Sequence, residues 1–156
     1  MDLQNLWNLV AGPQHNRILR VSFPHHDGPA AQLLVNQLDA FEGLSRDFEF
    51  IVEILTDNAI LELKAMLGKL LCVELVRRDG SLRYFSGYCF AFRLKKADGG
   101  IAFYEAKLGP WFRYLSLRTN YYLFHNKSVR EQPSLVFGEY GKLADWGGWW
   151  LAKISK

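Results

Sequence analysis

Residues 70–108 contain three strand-like runs joined by two tight turns, and the last two of these runs alternate apolar and polar residues. LLCVELVR (70–77) leads to Asp79-Gly80. A long run from Leu82 to Lys96 leads to Asp98-Gly99-Gly100, and residues 101–108 return. Alternation with a period of two is the mark of a strand with one buried face. An Asp-Gly pair between such runs marks a hairpin. The chain is therefore committed to an antiparallel meander. Gly87, inside the long run, marks a bulge or a close backbone approach. A long strand bent at such a point lets a small sheet curl into a barrel.

Further strands are read on the N-terminal side. Residues 16–23 (NRILRVSF) alternate, 24–29 (PHHDGP) form a turn-rich loop, and 31–41 begin a second strand. Glu42-Gly43 breaks that strand, and 45–55 continue as a third. On this third strand Phe48, Phe50, Val52 and Ile54 share one face. Glu49 and Glu53 share the other with Ile51 between them, so both faces are partly covered. Thr56-Asp57-Asn58 then offers cap side chains for a helix of about three turns with Ile60, Leu61, Leu63, Lys64 and Leu67 at helical spacing, stopped by Gly68. In the long run, Tyr84, Tyr88, Phe90, Phe92 and Leu94 are expected on one face. Pro110 opens a helix carrying Trp111, Phe112, Leu115 and Leu117. A short strand is read at 121–124. Ser128 and Glu131 have the spacing of a capping box for a last helix. Pro133, counted as about its fifth position, is expected to shorten or bend that helix, which ends at Gly138 or Gly141.

The fold class is thus mainly β with short helices: a bent antiparallel β-barrel. At 156 residues, 49% hydrophobic and 15% aromatic, the chain has the length of one domain and enough large side chains for a substantial core. The division read from the sequence is an N-terminal arm (1–15), the barrel (16–145) and a divergent tail (146–156). The N-terminus carries no secretory signal, and no apolar run reaches the ~20 residues of a spanning helix. Cys72 and Cys89 read as two buried thiols, with a reducing compartment as the default; a disulfide is the alternative and needs their two strands to be neighbours.

Net charge is +3, with acidic and basic residues interleaved, so no single basic face emerges. His25-His26-Asp27 groups metal-ligating residue types, but adjacent side chains in an extended loop point apart. His125 reads as a polar residue at a strand end. No G-x-S-x-G and no phosphate-binding glycine loop occurs. Asp98-Gly99-Gly100 joins two alternating runs and reads as a hairpin. Catalytic, metal and cofactor sites are accordingly all read as none. The aromatic row of the long strand, set among Arg83, Arg93, Lys95 and Lys96, resembles a single-strand stacking platform on an OB-like barrel. Core is the favoured reading of that row, and OB-like nucleic-acid binding is kept as an alternative. A small hydrolase of unrecognised type and a truncated remnant without its own function are the others.

Several of these segments, in order and spacing, resemble the N-terminal region of VgrG, the spike protein of type VI secretion systems. They are 16–23, 42–55, 83–93, 98–104, 110–117, 124–129 and the run Phe137-Gly138-Glu139-Tyr140-Gly141. VgrG is in turn similar to the contractile-phage baseplate hub and to phage late control protein D. The resemblance implies a barrel of the phage tail hub and tube-protein type. It also implies a non-enzymatic hub module that acts by self-association, as a homotrimer, and docks to the hexameric Hcp tube. Effector or baseplate proteins are further implied partners, with neither nucleic acid nor a small-molecule substrate. It implies synthesis in the bacterial cytoplasm without a cleaved signal and export by the type VI system. Here the chain turns into GGWWLAKISK and stops, so a truncated hub carrying only the first barrel is expected. Contacts are placed on the outward side of the long strands, at Glu49, Glu53, Arg93 and Lys95.

Overall fold

A computed structural model describes residues 17–141 and 143. The arm (1–15) and the tail (146–156) lie outside the described residues. The chain divides into two compact units, the first ending at Pro110 and the second beginning at Trp111.

The first unit holds six strands: β1 (Leu19–Ser22), β2 (Leu34–Phe41), β3 (Glu49–Thr56), β4 (Leu70–Val76), β5 (Leu82–Asp98) and β6 (Ile101–Gly109). A single-turn helix α1 (Leu63–Met66) lies between β3 and β4. The strands form one antiparallel sheet in the order β1-β4-β5-β6-β3-β2. Its two edges, β1 and β2, come back into contact with each other. Across that seam Arg17 Nη1 donates to the Val35 carbonyl at 3.4 Å. The sheet is therefore a strongly curled barrel, as its alternating runs and glycine turns foretell. Gly99 and Gly100 carry φ of 57° and 81°. Both lie in the left-handed region, which only glycine enters at little cost in a two-residue hairpin turn.

The interior follows from alternation. Phe50, Val52 and Ile54 of β3 are buried and sit opposite Leu108, Ala106 and Tyr104 of β6. Phe50–Leu108 and Ile54–Tyr104 pair large side chains across the strands, and Ala106 opposite Val52 leaves room between them. Phe50 meets the Phe85 ring edge-on at 5.3 Å, and Phe92 stacks on Tyr104 at 5.1 Å. The outer face of β3 is also partly covered: Leu34 and Leu55 are buried in a second cluster with Ile101 and Phe103.

β5 departs from the expected single aromatic face. In its first half Phe85 and Cys89 enter the core, while Tyr84 stands outward opposite Glu74. The register then shifts between Cys89 and Ala91, and Phe92 turns inward opposite Ala106. One inserted residue reverses which parity faces inside. The bulge is at Phe90, not at Gly87. Gly87 is instead a close approach: an added Cβ would lie 3.0 Å from Leu108 Cβ, 3.1 Å from the Gly109 carbonyl oxygen and 3.1 Å from Phe48 Cε2.

The helix expected after β3 is cut down to α1. Thr56 Oγ1 accepts from the Asn58 amide at 3.2 Å, and Asn58 Oδ1 accepts from the Ile60 amide at 2.9 Å. These cap side chains close local turns that compete with helix. The buried Tyr104 hydroxyl fixes the result, accepting from the Leu61 amide and donating to the Asn58 carbonyl, both at 3.3 Å. Gly68 does end the segment, with φ of 78°, and its amide donates to the Cys89 carbonyl at 2.8 Å.

Cys72 and Cys89 are both free and buried, as expected. Cys72 lies opposite Ser86 on β5, on the other face from Cys89.

The second unit has a 3-10 helix, η1 (Trp111–Leu117), and the helix α2 (Glu131–Gly138). Trp111 packs edge-on against Phe112 and Phe137 at 5.8 and 5.4 Å. The capping box forms reciprocally: Ser128 N donates to Glu131 Oε2 at 2.7 Å and Glu131 N to Ser128 Oγ at 3.3 Å. The helix proper begins only at Glu131, so Pro133 falls in its first turn, where its N–H would have no partner within the helix. Residues 121–124, expected as a strand, pair with no other strand among the described residues.

Gly87→Ala is expected to lower stability by about 1–3 kcal/mol, since two of the three contacts are to backbone or to a Cβ that cannot yield. Urea unfolding followed by tryptophan fluorescence measures it; an unchanged midpoint would mean that the β5–β6 crossing is looser than these distances.

A charged ladder on the outer barrel face as a candidate assembly surface

The outer residues of β3, β5 and β6 carry the candidate groups. Glu53 sits opposite Glu105 in the β3–β6 register, and Arg93 sits opposite Glu105 in the β5–β6 register. Two carboxylates facing each other across strands repel unless each has its own cation. Here each has one. Lys95 Nζ donates to Glu53 Oε2 at 2.5 Å, and Asn36 Nδ2 donates to Glu53 Oε1 at 2.6 Å. Arg93 Nε donates to Glu105 Oε1 at 2.9 Å. The Lys96 ammonium lies 4.3 Å from the centre of the Phe103 ring, a cation–π contact at the border of the outer apolar cluster.

Three of the residues singled out from sequence, Glu53, Arg93 and Lys95, thus come together. Glu49 begins β3 opposite Phe41, four residues from Glu53 and outside this group. Glu105 and Asn36 were not singled out. Counting back from the Gly99-Gly100 turn would set Glu105 opposite Leu94. The second irregularity of β5, between Leu94 and Lys96, moves Arg93 there instead. No local signal reports that shift.

The electrostatics follow the contacts. The Lys95 hydrogen bond, then that of Asn36, holds the Glu53 carboxyl below its ordinary value of 4.5. Arg93 does the same for Glu105. In return Glu53 raises the Lys95 ammonium. Carboxylates held ionised in this way are poor general acids near neutral pH. The group suits charge complementarity at a protein interface, where such pairs set register and partner choice. Arg93, its side chain 68% exposed, is the member most open to a partner.

Other constellations are placed as follows. His25, His26 and Asp27 occupy the loop after β1, where the Asp27 carbonyl accepts from Lys69. Among the described residues no three His, Cys, Asp or Glu side chains gather as a metal site. The aromatic row does not form a stacking platform, because two of its members, Tyr88 and Phe92, are buried and only Tyr84 stands well exposed. The second unit contains a cavity of about 410 Å³ lined by Leu115, Tyr122, Phe124, Val136 and Tyr140, with the Arg118–Glu139 ion pair in its wall.

Two outcomes are expected from this chemistry. Glu53 and Glu105 have folded pKa values below their unfolded ones, so their contribution is complete above about pH 4.5 and lost as pH falls through the lowered values. Glu53→Gln is expected to melt below wild type at pH 7, with the difference closing as the pH falls below about 4.5 and through the lowered value; a constant difference would remove Glu53 from the acid response. Burial pushes the Cys89 thiol up to about 12, and the thiolate is the reactive form. Iodoacetamide at pH 8, followed by peptide mass analysis, is expected to leave Cys89 unmodified in the folded chain and modify it rapidly in urea.

Comparison with known proteins gives the fold and the surface their context. The sequence model of the phage tail baseplate hub (GPD) matches residues 41–148. The type VI secretion system spike protein VgrG1b of Pseudomonas aeruginosa is 30% identical over 132 residues, 85% of this chain and 17% of that protein. VgrG1c of the same organism is 32% identical over 128 residues, 82% of this chain and 17% of its own length. The chain therefore spans about a sixth of the length of these relatives. Among solved structures, the E. coli c3393 protein superposes with a TM-score of 0.66 at 16% identity. The match covers 80% of this chain and 33% of that one. That protein is described as a type VI secretion component similar to the T4 bacteriophage tail proteins gp27 and gp5. With its barrel fold and a match over residues 41–148, the chain belongs to the phage tail baseplate hub (GPD) family.

Proposed function

We propose that this chain is a structural hub module of a type VI secretion or related contractile injection spike. It acts by self-association and by docking to a tube of Hcp type, and it has no catalytic role of its own. The observation that carries this reading is the hub-family match over residues 41–148. The spike relatives support it. The outer face of the barrel adds a physical reason: it presents compensated charge beside a partly covered apolar cluster, the composition of an interface rim and core. Glu49, Glu53, Arg93 and Lys95 are the contact residues on that face. The working form is a trimer, as in the resemblance to VgrG, made in the bacterial cytoplasm and exported by the secretion machine. Among the described residues no helix is long and apolar enough to cross a membrane.

Mass in solution, by size exclusion with light scattering over a range of concentrations, tests the self-association. A trimer supports it; a monomer at all concentrations removes it for this chain. The paired exchange Glu53→Lys with Lys95→Glu separates interface from internal stability. It restores the intramolecular pair, so the melting temperature is expected to return near wild type while assembly stays weakened. Recovery of both would confine the ladder to holding the sheet together.

A further inference from the structure

Residues 119–124 (TNYYLF) run straight, without turn or bend, between η1 and the loop before α2. Exposure rises and falls over the last four: Tyr121 is 94% exposed, Tyr122 42% and Leu123 87%, while Phe124 is half-buried. A period of two means an extended backbone with two distinct faces. One face is seated. Tyr122 and Phe124 stack at 5.6 Å, line the cavity with Val136 and Tyr140, and the Tyr122 hydroxyl donates to the Glu139 carboxylate. The other face, Tyr121 and Leu123, is bare. Among the described residues no backbone group of 119–124 joins a backbone–backbone hydrogen bond. The segment also lacks the side-chain devices by which proteins blunt an open strand edge: it holds no charge and no proline.

We infer that residues 119–124 are an acceptor edge for a β-strand. The strand comes from the polypeptide that the spike relatives carry beyond the region this chain matches. That region is only 17% of VgrG1b, so most of a spike lies outside it. A strand alternating apolar and polar residues would pair with the open amides and carbonyls and cover Tyr121 and Leu123. This is β-strand addition, in which the backbone supplies affinity and the alternate side chains supply register. The inference rests on the hub reading, because it takes the strand from a spike.

A chimera tests it: full-length VgrG1b with its matching region replaced by this chain, compared with this chain alone by hydrogen exchange and mass spectrometry. Amides of 119–124 are expected to exchange at least tenfold slower in a chimera that keeps the oligomeric state of VgrG1b. The double variant Tyr121→Lys with Leu123→Lys is expected to abolish that protection while leaving the melting temperature of the isolated chain unchanged. Equal exchange in an assembled chimera and in the isolated chain overturns the inference and leaves the hub reading standing. Protection already present in the isolated chain also overturns it: if it rises with concentration the strand comes from a second copy, and if not, from this chain's own residues. A chimera that loses the oligomeric state of VgrG1b counts against the hub reading and the inference together.

Discussion

The barrel depends on one strand that belongs to both of its halves. β5 is 17 residues long. Its first part pairs with β4 and its second with β6, the two partners overlapping at Tyr88, which lies opposite both Leu70 and Gly109. A strand shared in this way must turn the sheet through a large angle and still present apolar groups inward on both sides of the turn. Regular alternation does not do both. The extra residue at Phe90 does: it sharpens the local twist and resets parity, so that Phe85 and Cys89 before it and Phe92 after it reach the same interior. Gly87 lies just before this point, where the absence of a side chain lets Leu108, Gly109 and Phe48 close in.

Once β5 is bent, the outer face is determined by register. Glu53 and Glu105 are forced into opposition, and the arrangement holds because Lys95, Arg93 and Asn36 reach over to them. Lys95 owes its position to the second irregularity of the same strand. The device that closes the interior therefore also composes the charged exterior. Individual exposed ion pairs contribute little to stability. Several of them in fixed register next to an apolar cluster define a recognisable patch, and this is where the physical case for an assembly surface lies.

The second unit is built differently. Trp111, Phe112, Phe137 and Tyr140 form an aromatic cluster around which η1 and α2 are arranged. Its intervening segment packs Tyr122 and Phe124 against each other and leaves Tyr121 and Leu123 exposed. The spike relatives are about six times longer than the region they share with this chain, and the inferred strand would come from that remainder.

Much of this was legible in the sequence because the signals are local. The Asp79-Gly80 and Gly99-Gly100 turns, the Gly68 stop and the Ser128–Glu131 box each act within a few residues, through backbone conformation or a side-chain hydrogen bond, and each is found as read. Alternation in β3 and the order of the family's motifs were equally visible. What the sequence hid depends on partners far along the chain. The bulge that splits Tyr84 and Phe92 onto opposite faces is set by how β5 meets β4 and β6. The loss of most of the helix at 60–67 is set by the Tyr104 hydroxyl, more than forty residues away. The meeting of Glu53, Glu105, Arg93 and Lys95 follows from that same register. The sequence by itself determined an antiparallel barrel, its turns and its family, because periodicity and turn chemistry are written residue by residue. Only the tertiary structure decided which aromatics are core and which charges stand together, because one inserted residue in a shared strand exchanges the two faces without changing the local pattern.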